Sequence, residues 1–318
     1  MAATSPPAPN VSTIDAAQAA IEHTRRHLFP IRFQRWIVLG FLAFLDQCGR
    51  TFNGGGGGGG NGHPGRDWPG HERGVGEEVA GAVNTATAWL AAHAVEVALG
   101  VILGLVVVGG LVALLLWINA RGTFMYLDNV TSGRADVARP WREHARAADS
   151  YFGWRLALGL ATLGVLLFAA GIVAVALVAF ARGRLEGASG AVMLMALVPV
   201  LLVLLVALPL LALAGMALRD FVAPLQLVTG LSCGQAARVL EGLLTAHPGA
   251  FLLYLLVKFV TVALTGAAIV IGGCLTCCVG FLPVVMQTLL QPLFFFERSF
   301  PLFLLRQMGH DLPARIRG

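Results

Sequence analysis

The chain has 318 residues, of which 57% are hydrophobic and 12% charged, with a mean hydropathy of +0.77. About 25% charged residues is usual for a soluble globule, so this composition excludes one and points to an integral membrane protein. The formal charge of +5 and pI near 9.3 do not indicate nucleic acid, because the basic residues flank apolar runs, the pattern drawn by an anionic leaflet.

Residues 1–12 are small, polar and rich in proline, a composition that predicts disorder. They lack the charged start and apolar core of a cleavable signal peptide. Ser12-Thr13-Ile14-Asp15 resembles a capping box with aspartate in place of glutamate, opening a helix. Ile14, Ala17, Ile21 and Leu28 fall on one face of it, an amphipathic pattern suited to the membrane interface. Pro30 ends that helix, and a first span is expected over 31–48, with Arg32 and Arg35 reaching the headgroups and Trp36 near the interface.

A glycine-rich loop at 49–78 follows, with seven consecutive glycines from Gly54 to Gly60. It reads as a flexible tether, since no Gly-Lys-Ser/Thr follows to make a phosphate loop. Glu77-Glu78 lacks the arginine and intramembrane histidine of a protease site, and supplies negative charge to a helix N-terminus instead.

Further spans are expected over 97–117, 154–180, 190–218, 250–272 and 279–296, each close to the 20 or so apolar residues that cross a bilayer. Pro199 and Pro209 permit kinks in the fourth. Gly100, Gly104, Gly109 and Gly110, and Ala157, Ala161 and Gly164, have the spacing of helix-packing surfaces. Residues 310–318 form a basic tail.

With six spans and the N-terminus inside, inner segments hold 16 arginines and outer segments five. That bias places both termini in the cytoplasm. The expected fold is all-α: a single polytopic domain over 13–309, built as three helical hairpins with amphipathic helices on the cytoplasmic side. The inner connectors support the repeat. At an offset of 98 residues Arg121 pairs with Arg219, Leu127 with Leu225, Val130 with Val228, Thr131 with Thr229 and Ala138 with Ala236. Each connector then runs through an amphipathic helix, Pro140–Phe152 in the first and the Ser232–Gln235 capping box onward in the second.

The stretches ARGTFMYLDNV and PWREHARAADSYFGWR, with RDFVAPLQLVTGLSCGQAARVLEGLLTAHPGAFLLYLL, resemble bacterial multi-pass proteins of uncharacterised function. Those are similar in turn to the membrane domain found beside some glycerophosphodiester phosphodiesterases. The resemblance covers roughly residues 29–309 and implies the architecture. It carries no catalytic signature, and the soluble phosphodiesterase domain is absent.

Among polar residues, Arg121, Arg134, Arg139, Arg142, Arg146, Arg219 and Arg238, with Trp141, are the expected contacts for anionic lipid headgroups. Lys258 is the sole lysine. It lies within the fifth span, either as an intramembrane polar site or, the favoured reading, snorkelling to the inner headgroups because no acid shares its depth. Cys274, Cys277 and Cys278, with Cys48, fall on the outer side, where a disulfide is allowed but packed free thiols are favoured. No catalytic, cofactor or metal site emerges. The expectation is a non-enzymatic membrane scaffold tied to envelope or lipid homeostasis, with membrane lipids as partners; the alternatives are a transporter or permease and, third, an intramembrane enzyme.

Overall fold

The computed structural model describes residues 11–47, 91–181, 189–275 and 284–310, together with 81, 85, 87–89 and 282. Its elements are helical: α1 (Thr13–Leu28), α2 (Phe33–Gln47), α3 (Ala94–Ser132), α4 (Ala138–Glu143), α5 (Ala145–Ala181) and α6 (Ser189–Ala217). A π-helical turn (Leu218–Val222) leads into α7 (Ala223–Thr229), followed by α8 (Cys233–Ala246), α9 (Pro248–Leu275), α10 (Val285–Leu289) and α11 (Gln291–Gln307). The glycine-rich loop, with Glu77 and Glu78, lies outside the described residues.

Four helical stretches are long and apolar enough to cross a membrane: Ala94–Ser132, Ala145–Ala179, Leu197–Thr229 and Pro248–Leu275. Their large apolar side chains, Leu99, Leu105, Leu167, Leu205 and Phe259 among them, are exposed. In water such a surface is untenable, whereas in hydrocarbon it is the solvated state. The chain is therefore a multi-pass membrane protein.

Among the described residues, the spans expected at 31–48 and 279–296 are not shown as helices of that kind. Helix α2 has 15 residues, about 22 Å of helix against a hydrocarbon core of about 30 Å. The second stretch is interrupted at Leu290, between the five-residue α10 and α11, whose first turn contains Pro292. Proline lacks the N–H that would carry a helix through that point.

The inner connectors also differ from expectation, because the long helices run on into them. Helix α3 continues to Ser132, and the chain from α6 stays helical through the π turn to Thr229. The amphipathic segment at 140–152 is broken at His144 between α4 and α5.

The chain divides into two compact units. One comprises Thr51–Leu114 and Ala157–Leu213 and holds most of the long apolar stretches. Gly100, Gly104, Gly109, Gly110 and Gly164 have no neighbour within 4 Å of an added Cβ among the described residues. The other unit, Met1–Arg50, Leu115–Leu156 and Ala214–Gly318, contains the dense core.

Helix α1 begins as its sequence predicts, with the Ser12 Oγ accepting from the Asp15 N–H at 3.3 Å. Its buried face is made of small residues, Thr13, Ala16, Ala20 and Thr24, with Leu28, and it lies along α11, while Ile14 and Ile21 remain exposed. The Ser12 N–H donates to Gln307 Oε1 at 2.7 Å, tying the start of the chain to the end of α11. Helices α3, α7 and α11 are followed by Gly133, Gly230 and Gly309 with φ of +66°, +70° and +88°, the left-handed region that ends a helix most readily at glycine. Arg219 and Arg298 each stand 11 residues before such a glycine. After Gly230 an amphipathic helix capped by Ser232 packs back on the π turn, its capping box formed with Gln235. Against α11 the helix capped by Ser12 lies alongside in the same manner, supplied by the other end of the chain.

Two glycines set how closely α2 can approach its neighbours. Gly40 faces Thr288 of α10, and Gly122 of α3 faces Leu45, whose carbonyl carbon would lie 2.8 Å from an added Cβ. Because that obstacle is backbone, Gly122→Ala must separate α2 from α3. We expect a loss of about 1–3 kcal/mol, the range for overpacking, read as a lowered thermal midpoint in detergent. Gly100→Ala, with no described neighbour to meet, does not lower the midpoint.

Candidate functional site

The dense unit is organised around six charged side chains that apolar periodicity does not explain: Asp46, Arg219, Asp220, Lys258, Glu297 and Arg298. All are buried. Asp46 comes from the last turn of α2, Arg219 and Asp220 from the π turn, Lys258 from α9, and Glu297 and Arg298 from α11. The π turn matters because all five of its residues are buried, and such local bulges in helices recur at functional positions.

Asp46 is the hub. Its Oδ2 accepts from Arg219 Nη2 at 2.7 Å and from Arg298 Nε at 3.1 Å, and its Oδ1 accepts from Arg298 Nη2 and from Thr123 Oγ1, the latter at 2.9 Å. Arg219 Nη1 reaches Glu297 Oε1 at 2.8 Å, and Arg298 Nη1 donates to the Arg219 carbonyl at 2.8 Å. Lys258 Nζ lies 2.7 Å from Asp220 Oδ2 and 2.9 Å from Glu297 Oε1, while the Tyr254 hydroxyl donates to Asp220 Oδ2 at 2.9 Å. Asn119 Nδ2 fastens the end of α2 by donating to the carbonyls of Leu45 and Asp46 at 2.9 and 2.7 Å. Arg155 Nη2 donates to Asn119 Oδ1 at 3.3 Å.

Three carboxylates and three cations make the six-residue cluster formally neutral. Away from water each ion is costly alone and tolerable only when paired and hydrogen-bonded. The arrangement joins α2, α3, the π turn, α9 and α11 in one polar knot. Among the described residues no group of three His, Cys, Asp or Glu could hold a metal.

This geometry revises two sequence expectations. Lys258 does not snorkel: it is 6% exposed and lies between Asp220 and Glu297, acids supplied by other helices. Arg219 is not a headgroup contact, because its guanidinium is enclosed between Asp46 and Glu297. Arg121 is engaged inside the chain as well. Its guanidinium sits 5.2 and 5.6 Å from the Trp117 and Trp141 ring centres and donates to both Asp149 oxygens, at 2.9 and 3.1 Å. Arg139 faces Asp128, Asp136 and Glu143.

Arg134, Arg142, Arg146 and Arg238 are exposed, and Trp141 is half-buried. Cys274 is exposed, whereas Cys48, Cys277 and Cys278 lie outside the described residues, so the outer-side cysteine expectation falls largely beyond them. The residues that sequence reasoning missed are Asp46, Asp220, Glu297 and Arg298. A faint signal existed: each acid stands within a few residues of the end of an expected apolar span.

Outside the spans, two histidines of α1 line its contact with α3 and α11. His23 Nε2 lies 2.8 Å from the Val130 carbonyl, and the ring stacks on Phe295 with centres 5.6 Å apart. His27 packs against Gly133. Burial, then the neighbouring His23, Arg35 and Arg26, push its pKa down to about 4.

A family described as a family of unknown function (DUF7544) matches residues 11–307, and the chain belongs to it. No curated protein and no solved structure matches the chain.

Proposed function

We propose that this member of the family is a non-enzymatic membrane scaffold that gathers anionic phospholipid at the cytoplasmic face of a bacterial inner membrane. Both termini and the arginine-rich segments lie on that face. The observation that carries the reading is the pairing of the buried charges: each of Asp46, Asp220 and Glu297 is answered by a cation of the same chain, so the cluster serves to lock helices together. Arg134, Arg142, Arg146 and Arg238, exposed on the same unit, are left to meet headgroups.

Native mass spectrometry of the full chain in detergent, with phosphatidylglycerol and phosphatidylethanolamine added in equal amounts, tests this. Preferential retention of phosphatidylglycerol is expected, reduced in R142Q/R146Q/R238Q. Equal retention of the two lipids would overturn the reading.

A transporter is the second reading, favoured by a buried lysine bridging two acids next to a π turn, since ionisable groups inside membrane helices commonly mark a pathway. Solute flux into proteoliposomes that is lost in a folded Lys258 variant would favour it.

A further inference from the structure

The two half-buried histidines of α1 stand where that helix meets α3 and α11. His23 Nε2 lies 2.8 Å from the Val130 carbonyl. A carbonyl only accepts, so this nitrogen carries a proton and donates it. The ring stacks on Phe295 and stands edge-on to Phe303, with centres 5.6 and 5.4 Å apart. His27 follows one turn later, its ring centre 4.3 Å from that of His23 and 6.4 Å from that of Phe295. Its imidazole fills the space where a Cβ on Gly133 would stand.

These surroundings suit neutral rings. From α11 the pair is faced by two phenyl rings, and from α3 by a backbone carbonyl and a glycine. The charged groups facing it are cations, Arg26 on α1 itself and Arg35 on α2. Glu22, the acid beside His23 in sequence, is bound to Arg26 at 2.8 Å, while Glu297 and Arg298 of α11 are committed to the polar knot. Among the described residues neither ring forms an ion pair, in contrast to His144, whose Nε2 lies 3.2 Å from Asp128. A proton added to the pair therefore finds no counter-charge, and a second must enter beside the first. The rest of the helix is lightly held. At its start the Ser12 N–H donates to Gln307 Oε1 at 2.7 Å and the Thr13 hydroxyl to the Ala250 carbonyl at 3.1 Å, and between those bonds and the histidines only Ala16 and Ala20 are buried. A helix of 16 residues is marginal alone, so its own hydrogen bonds depend on staying docked.

We propose that α1 is a pH-sensitive clasp: neutral His23 and His27 hold its C-terminal half against α3 and α11, and acidification releases it. The direction follows from which state takes up protons. Burial first, then His23, Arg35 and Arg26, hold His27 in the docked helix down at about 4, and burial lowers His23 as well. Once undocked, both rings return to the ordinary histidine value of about 6.5. Between those values the released helix binds more protons than the docked one. Docking is therefore complete above the ordinary value and weakens as the pH falls towards the docked one. Both rings are partly exposed, so water screens the effect, and the open fraction is expected to rise about fivefold from about pH 7.5 to about pH 5.5.

Amide hydrogen exchange of the detergent-solubilised full chain at those two pH values, corrected for the pH dependence of the chemical step, tests the clasp. The C-terminal half of α1 is expected to exchange about fivefold faster at the lower pH, while Pro248–Leu275 keeps its protection. In H23Q/H27Q, whose side chains take up no proton, the acceleration disappears. Equal exchange of α1 at the two pH values in the wild type would overturn the proposal. So would an acceleration that survives in H23Q/H27Q, or one shared by Pro248–Leu275, which marks general loosening in acid. Should glutamine loosen α1 at both pH values, the wild-type rings decide. Hydrogen exchange at imidazole C2 reads their titration midpoints, expected below the ordinary histidine value. Midpoints at or above that value would overturn the clasp.

Discussion

Replacing Asp46 by asparagine is expected to cost about 3–5 kcal/mol of stability, the range for breaking a buried ion pair by removing one partner. The side chain keeps its size, so the effect isolates charge. Asp46 receives donors from Arg219, Arg298 and Thr123, and its loss leaves two guanidiniums with an excess positive charge in a sealed core. The measurement is the thermal midpoint in detergent, with gel-filtration profile as the check on folding. A companion, D46N/R298Q, restores formal neutrality and is expected to be less destabilised than the two single changes added together, because the residues share one network. Strict additivity would show that Asp46 and Arg298 do not act as a pair.

Lys258→Met is the second large effect. Methionine fills similar space, but Asp220 and Glu297 are then left with Arg219 and Arg298 as their remaining cations. Arg219 Nη1 lies 2.8 Å from Glu297 and 3.6 Å from Asp220, so both acids retain some compensation. The expected loss is therefore about 3 kcal/mol, at the low end of the range for a broken buried pair. K258M/E297Q restores formal neutrality to the cluster and is expected to recover part of the loss. A lysine that merely reached the headgroups would behave as a surface residue, and its replacement would change stability by no more than about 0.5 kcal/mol. The same variant separates the two functional readings: a scaffold loses stability and lipid retention together, whereas a transporter loses flux in the fraction that remains folded.

The class of protein was legible in the sequence because it rests on a sum over many residues. Long apolar stretches and sparse charges report a membrane protein whatever their detailed packing, and four such helices are present. Local chemistry was legible too. Ser12 caps α1, and Ser232 with Gln235 caps α8, since each device involves residues three apart that meet in any helix. The faces of α1 were read less well. Ile14 and Ile21 marked its apolar side, but the side that packs within the protein is the stripe of alanines and threonines. Small residues permit close approach of α11 without raising the hydropathy signal.

Lys258 was assigned to the headgroups because no acid shares its depth in an apolar stretch, and Arg219 because it belongs to an arginine-bearing inner connector. Their partners are distant in the chain. Arg219 meets Asp46 across 173 positions, and Arg298 meets Asp46 across 252. No pattern within a window of one helix can show that an acid at the end of α2 answers arginines near the other end of the chain.

The sequence by itself determined the solvent, the helical class and the caps, since hydropathy and hydrogen bonding within one turn depend only on nearby residues. Tertiary structure alone decided which charges face lipid and which are enclosed. That choice follows from pairing: a charge stays inside only where another part of the chain brings its counter-charge within about 3 Å.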